Sequence, residues 1–397
     1  MTTSPAQQPA TEQELAATIA DAASRREPVA VAGGGTQAGL GRPVQAAATL
    51  SAAGLTGVTL YEPAEQVIAA WAGTPLAEVE SVLATENQRL AFEPTDRRRL
   101  YASEGTPTIG AVVATNASGP RRIQAGAARD SLIGIRAVNG SGEVIKSGGR
   151  VMKNVTGYDL AKFLAGSHGT LAVLSEVTFK IQPIPETEAT LVINGLDDAA
   201  AVAALSAALG STATVTGAAH RPAGNSDART WVRIEGFAAS VKERTDHLTG
   251  VLSAFGVDAT LDPAESQACW EAVGDLSTLT ASVDSVVWKV SVKPSDGPAV
   301  AAAVSEQLDC QVLYDWGGGL VWIALPDAGT DGGAGVVRGA LNGRNGHATL
   351  VRAPDAIRTT VDVFEPSANA IADLTRKMKA TFDPGGILNP GRMYAGV

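Results

Sequence analysis

Short apolar runs alternate along the chain with Ala-rich stretches of helical period, and glycine or proline marks nearly every change between them. Glu12 to Ser24 reads as an Ala-rich helix after a polar, Pro/Gln-rich start. Pro28 to Ala32 is a short apolar strand that runs straight into Gly33-Gly-Gly-Thr-Gln37. Thr74 and Pro75 fit the cap and first position of a helix whose apolar face is Leu76, Val79, Val82 and Leu83, reaching about Arg89. Leu132 to Val138, Asn139-Gly-Ser-Gly142 and Glu143 to Lys146 predict a strand, a turn and a strand. A short helix at Tyr158 to Leu164 and a strand at Ala172 to Ile181 follow, and Pro183-Ile-Pro185 marks a boundary.

From Ala189 the texture changes. Strands are expected near Leu191 and at Trp231 to Ile234, Val286 to Val292, Val312 to Trp316 and Leu320 to Ala324, with helices between them. That pattern predicts an α+β domain, an antiparallel sheet with helices on one face. A last helix reaches about Phe382, and Asp383-Pro-Gly-Gly-Ile-Leu-Asn-Pro-Gly391 then forbids regular structure.

Size and charge narrow the partners. At 397 residues the chain exceeds the length at which one core stops growing, so two domains are expected. A formal net charge of -10 disfavours nucleic acid or an anionic membrane as the main partner. Two cysteines, Cys269 and Cys310, form no Cys-x-x-Cys pair, so neither a disulfide framework nor an iron–sulfur cluster is supported. The apolar runs fall short of the ~18 residues of a membrane span, and no cationic-then-apolar leader opens the chain, so a cytoplasmic location is expected.

The densest candidate chemistry lies between Thr106 and Gly119. Hydroxyls at Thr106, Thr108, Thr115 and Ser118 surround apolar Ile109, Val112 and Val113, with Gly110 and Gly119 where backbone must approach something closely. This suits a flat aromatic ring with a polar tail; on packing grounds alone it is a buried strand followed by a Gly-rich turn. Gly33 to Gln37 is placed to hold a phosphate with backbone N–H groups, although a plain tight turn reads equally from the residues. It is neither a Gly-x-Gly-x-x-Gly fingerprint nor a Walker loop. Arg97, Arg98 and Arg99 read as a solvated charge run, with an anion clamp as the other reading. The loop from Gly148 to Leu171 is too rich in Gly, Thr, Asn and Lys to be explained by packing.

Four stretches stand in fixed order: Gly33 to Gln37, Pro107 to Gly119, Lys153-Asn-Val-Thr-Gly-Tyr-Asp-Leu160 with Gly166-Ser-His-Gly-Thr-Leu171, and Asp383 to Gly391. Together they resemble the flavoproteins of the vanillyl-alcohol oxidase and p-cresol methylhydroxylase type. Ala114-Thr-Asn-Ala-Ser-Gly-Pro-Arg-Arg122, Arg129-Asp-Ser-Leu-Ile-Gly134 and Val151 to Leu160 look most like the smaller FAD-binding subunits of bacterial glycolate oxidases. The resemblance is dense over residues 28 to 186 and specific in the tail. It implies an α+β protein: a two-part FAD-binding domain of the p-cresol methylhydroxylase type plus an α+β cap domain with an antiparallel sheet. The expected division is an N-terminal tail and helix at 1–24, an FAD-binding domain at 25–186, a cap at 187–364 and a C-terminal segment at 365–397 returning to the FAD domain.

The resemblance further implies that Gly33, Gly34, Gly35, Thr36 and Gln37 wrap the FAD pyrophosphate. Thr106, Pro107, Thr108, Ile109, Gly110, Thr115, Asn116, Ser118 and Gly119 would run along pyrophosphate, ribityl chain and ring, with Val177 and its neighbours closing the ring pocket and Asn389 returning from the tail. Ala111 stands where the family has a second glycine. Thr36 stands where covalent relatives link the flavin through histidine, so non-covalent FAD is implied. His168 reads as a surface histidine in a turn. Relatives that oxidise D-2-hydroxy acids unaided carry a His-rich metal motif where Asp315-Trp-Gly-Gly-Gly-Leu-Val-Trp322 stands here. Asp315 is either a base or a strand-end residue, so no catalytic residue and no metal ligand is assigned. The implied partners are a larger catalytic FAD subunit, an iron–sulfur subunit and a small 2-hydroxy acid, with peripheral association at the inner face of the cell membrane left open. A self-sufficient flavin oxidase and an assembly module with structural FAD are the competing roles.

Overall fold

A computed structural model of the chain describes residues 6–149, 158–224, 227–277, 279 and 285–397. Two compact units emerge, one of residues 1–118, 126–184 and 366–397, the other of residues 119–125 and 185–365.

In the first unit a five-stranded antiparallel sheet runs in the order Val58–Glu62, Val67–Trp71, Ala172–Lys180, Leu132–Asn139, Val144–Gly148. Its central strand, Ala172–Lys180, is buried along nearly its whole length, its apolar residues interrupted by Ser175, Glu176 and Thr178. Against it pack the helix Leu76–Ala84 and the short helix Ile109–Ala114, through Leu76, Val79, Leu83, Ile109, Val112 and Val113. A separate two-stranded parallel pair, Val29–Ala32 with Ala48–Ser51, lies beside the helix Glu12–Arg25. That helix buries Leu15 and Ile19 against Val138, Val173 and Leu388, and its buried Glu12 pairs with Arg136 and accepts from Ser175 Oγ at 2.6 Å.

Three local expectations change. The stretch 109–114 is helical rather than extended, and it buries Ile109, Val112 and Val113 on one face. The first helical N–H groups bond backwards, Ile109 N to Thr74 O (3.0 Å) and Gly110 N to Ala72 O (2.8 Å). Thr74 does not cap the next helix: its hydroxyl donates to Trp71 O at 2.7 Å, and the Pro75 carbonyl takes the helical N–H of Val79. That helix ends at Ala84 rather than near Arg89, where Gln88–Arg89 instead pairs with Gln182–Pro183. The Val151 to Gly157 part of the motif loop lies outside the described residues.

The second unit is built on one eight-stranded antiparallel sheet, in the order Ala259–Leu261, Thr187–Asn194, Arg229–Gly236, Gly217–Arg221, Gln311–Asp315, Leu320–Leu325, Val286–Val292, Gly346–Arg352. Leu191, Val232, Ala218, Tyr314, Val321 and Val290 point to one face, under the helices Asp198–Leu209, Ala238–Val251 and Gly297–Ser305. The other face is not bare, contrary to the one-face expectation. The helix Pro263–Gly274 crosses it, with Trp270 Nε1 donating to Thr190 Oγ1 at 2.8 Å and its ring against Gly217. Arg121 on the same unit forms a two-pronged buried ion pair with Glu235, at 3.0 and 2.8 Å.

Candidate functional site

The site is built where a strand ends. Val29–Ala32 pairs in parallel with Ala48–Ser51 on one side. On the other, the tail pairs through a single parallel bridge at Leu388, Val29 N donating to Ile387 O (2.8 Å) and Asn389 N to Val29 O (3.0 Å). Past Ala32 no side chain fills the space, because residues 33–35 are glycine. The result is a cleft of about 260 Å³ inside the first unit.

Gly33, Gly35, Thr36, Gln37, Thr108, Gly110 and Thr115 line this cleft. Gly35 has φ 82° and nothing within 4 Å of where a Cβ would stand, so its backbone faces open space in a conformation that glycine alone adopts freely. A Cβ on Gly33 would stand 2.3 Å from Thr108 Oγ1. Among the described residues that hydroxyl has no hydrogen-bond partner, although Thr108 is only 2% exposed. An orphaned buried hydroxyl costs roughly 1–3 kcal/mol, and a ligand oxygen removes that cost.

The other sequence-expected residues do not line the cleft. Gly34 and Thr106 meet backbone to backbone, and the Pro107 carbonyl accepts from Leu76 N at 2.8 Å. Ile109 is fully buried in the core. Asn116, at φ 48°, accepts from Arg129 N at 3.0 Å. Ser118 ends the first unit's segment, and Gly119 falls in the second unit, its carbonyl accepting from Trp316 Nε1 at 3.2 Å. Val177 pairs with Ala70 and Ile135 inside the sheet and is fully buried; Ala172, Val173 and Leu174, earlier on that strand, form the cleft wall instead. Asn389 is 1% exposed and acts beneath the cleft: its Oδ1 accepts from Val31 N (2.8 Å) and its Nδ2 donates to His168 O (2.8 Å).

Two ionisable cleft residues are not among those the sequence assigns to the site. His168 lines the cleft half-buried, at φ 53°, rather than sitting on the surface. Burial first, and the Arg392 guanidinium second, push its pKa down to about 3, so the ring is neutral through the physiological range. Arg392 also lines the cleft and donates to Gln37 O at 3.2 Å, while its carbonyl accepts from Arg42 N at 2.8 Å. The Gly-Ser-His-Gly turn and the residue just past Asn389-Pro-Gly391 were the signals that could have pointed to them.

The donor set suits an elongated ligand carrying phosphate and hydroxyl groups: one guanidinium, hydroxyls on four threonines, a glycine backbone and an apolar wall. The second unit supplies no comparable chemistry at Asp315. That carboxylate is 3% exposed and its Oδ1 accepts from Trp316 N at 2.7 Å, capping a turn of 3-10 helix. Arg97 and Arg99 flank Arg98, which forms an exposed ion pair with Asp96, so the charge run is partly tied down locally. Among the described residues no group of three or more His, Cys, Asp or Glu side chains could hold a metal ion, and no helix is long and apolar enough to cross a membrane.

Comparison with known proteins agrees with this layout. The family described as "FAD binding domain" matches residues 6–148, and "FAD linked oxidases, C-terminal domain" matches residues 367–393. Alkyldihydroxyacetonephosphate synthase shares the fold, with a TM-score of 0.69 at 15% identity over 96% of this chain and 75% of its own. Glycolate oxidase subunit GlcD of Bacillus subtilis is 37% identical over 113 residues, 28% of this chain and 23% of its own length. Glycolate oxidase subunit GlcE of Escherichia coli is 32% identical over 385 residues, 96% of this chain and 97% of its own length. The chain belongs to the FAD-linked oxidases, in the family of the glycolate oxidase subunit GlcE.

Proposed function

We propose that this chain is the FAD-binding subunit of a glycolate oxidase complex, contributing to the oxidation of glycolate to glyoxylate and to electron transfer between subunits. The observation that carries the reading is the end-to-end similarity to GlcE, against a match to GlcD confined to 28% of this chain. In this reading the cleft of the first unit holds FAD, and FAD when bound supplies an electron and hydride acceptor. The backbone of the loop at residues 33–37 would hold the cofactor's phosphates, and the Arg392 guanidinium would balance their charge. Thr108 gives its otherwise unpaired hydroxyl to a cofactor oxygen. Asn389 fixes the strand and the His168 turn from below.

Oxidation of a 2-hydroxy acid requires a positioned base for the hydroxyl proton. Asp315 is spent as a cap, so we assign the chemistry to a larger FAD subunit, with an iron–sulfur subunit taking the electrons onward. Under anaerobic mixing with glycolate, the flavin of the purified chain should stay oxidised. It should bleach when a GlcD-type flavoprotein and a Cys-rich partner are coexpressed with it. Rapid bleaching of the chain alone would overturn the division of labour and make it a self-sufficient oxidase.

Thr36, 4% exposed in the cleft wall, offers no imidazole for a covalent link. Acid precipitation should therefore leave all flavin in the supernatant as intact FAD. Yellow colour retained in the pellet would refute non-covalent binding.

A further inference from the structure

The helix Asn369–Phe382 is exposed along most of its length, yet one of its residues is buried, and that residue is a lysine. Lys379 is 7% exposed and no motif in the sequence singles it out. Its ammonium has three donors and all are used, each at 2.7 Å: to Thr170 O, to Asp383 Oδ2 and to Leu388 O. Asp383, 1% exposed, also accepts from Ile387 N at 3.1 Å and Leu388 N at 2.8 Å. Burial pulls the Lys379 pKa down, and the Asp383 carboxylate opposes that pull. A buried ion pair is a costly way to fill space, since an apolar pair of similar volume is often at least as stable.

What the pair joins gives it a use. Thr170 closes the turn that carries His168 and Gly169 into the cleft wall. Leu388 directly precedes Asn389, whose side chain binds Val31 N on one side and His168 O on the other. One ammonium thus draws together the turn, the tail and the helix that leads into the tail. Without a donor at this point, two buried carbonyls would lose their partner and the Asp383 carboxylate its counter-charge, which loosens the tail next to Asn389.

We propose that Lys379, with Asp383, is a positioning residue for the cofactor cleft: it acts through Asn389 to set the His168 turn and the end of the first strand, and FAD affinity depends on it. The proposal rests on the reading of the cleft as the FAD site. It is tested by titrating FAD into apoprotein for the wild type, Lys379→Met, Asn389→Ala and the double variant, with the visible circular dichroism of the bound flavin recorded for each. Both single variants should bind FAD at least tenfold more weakly. The double variant should lose little beyond the weaker single one, because both act through the same contact. The flavin spectrum of Lys379→Met should shift in the same sense as that of Asn389→Ala. Should Lys379→Met fail to fold, Lys379→Met/Asp383→Asn leaves no unpaired buried charge and takes its place in the cycle. Wild-type affinity in the lysine variant, or losses that multiply in the double variant, would overturn the clasp. A wild-type apoprotein that binds no FAD would instead defeat the cofactor reading itself.

Discussion

Gly34→Val should purify without flavin. A Cβ at position 34 would stand 1.8 Å from the Thr106 carbonyl oxygen and 2.8 Å from its carbon, so the new atoms meet backbone and not a side chain that could rotate away. Gly105, on the same loop as Thr106, is as close, its own Cβ position lying 1.9 Å from Gly34 O. The two loops that carry the cleft residues are therefore in glycine-to-backbone contact, and forcing them apart displaces both at once. Overpacking a rigid site costs typically about 1–3 kcal/mol, and more where backbone must move. The sequence alone suggests that bulk here would strike the cofactor; the structure gives a nearer obstacle, the protein's own carbonyl. Gly35→Ala separates the two ideas. Position 35 has open space around it but φ 82°, so alanine there should cost only about 1 kcal/mol of strain and keep most of the flavin. The ratio of absorbance near 450 nm to that at 280 nm in the purified variants reads both outcomes. Full flavin content in Gly34→Val would mean that the loops are not packed as described.

The parts of this fold that were legible in the sequence are those where a local pattern has one physical solution. Alternating strands bounded by Gly or Pro gave the antiparallel sheet of the second unit, and the hairpin at residues 132–148 followed from Asn139-Gly-Ser-Gly142. The run of glycines after residue 32 pointed to a concavity because no side chain is there to fill it. What was not legible depends on distant partners. Six residues, 109–114, are too few for period alone to separate helix from strand, and the choice is made by Ala72 and Thr74, which take the first N–H groups. Val177 and Leu174 share a strand and a hydrophobic character; only the neighbours decide that one is packed in the sheet and the other walls the cleft. Residues 119–125 join the second unit through Arg121 and Glu235, a contact that no local pattern announces. Lys379 looks like any solvent-facing lysine of a polar helix until the tail folds back over it.

Removing residues 389–397 should lower FAD affinity by about 10²-fold or more while leaving the second unit folded. The truncation takes away the Asn389 side chain, so Val31 N and His168 O each lose a partner at 2.8 Å; an orphaned buried group costs about 1–3 kcal/mol, and two of them suffice for such a loss. It also removes Arg392, the guanidinium of the cleft wall, and with it the bond to Gln37 O that steadies the glycine loop. The bond from Val29 N to Ile387 O survives, so the strand should remain but lie loose at its cleft end. Stabilisation by a ligand that binds only the folded state grows with the logarithm of one plus the ratio of free FAD to Kd, so at FAD about tenfold above the wild-type Kd the shift of the first unit's melt should nearly vanish in the truncated chain. All six tryptophans except Trp71 lie in the second unit, which makes tryptophan fluorescence a separate record of that unit, and its transition should not move. Asn389→Ala should reproduce part of the loss and Arg392→Gln another part. A truncated chain that keeps the full FAD-dependent shift would show that the tail lies against the unit without serving the cleft.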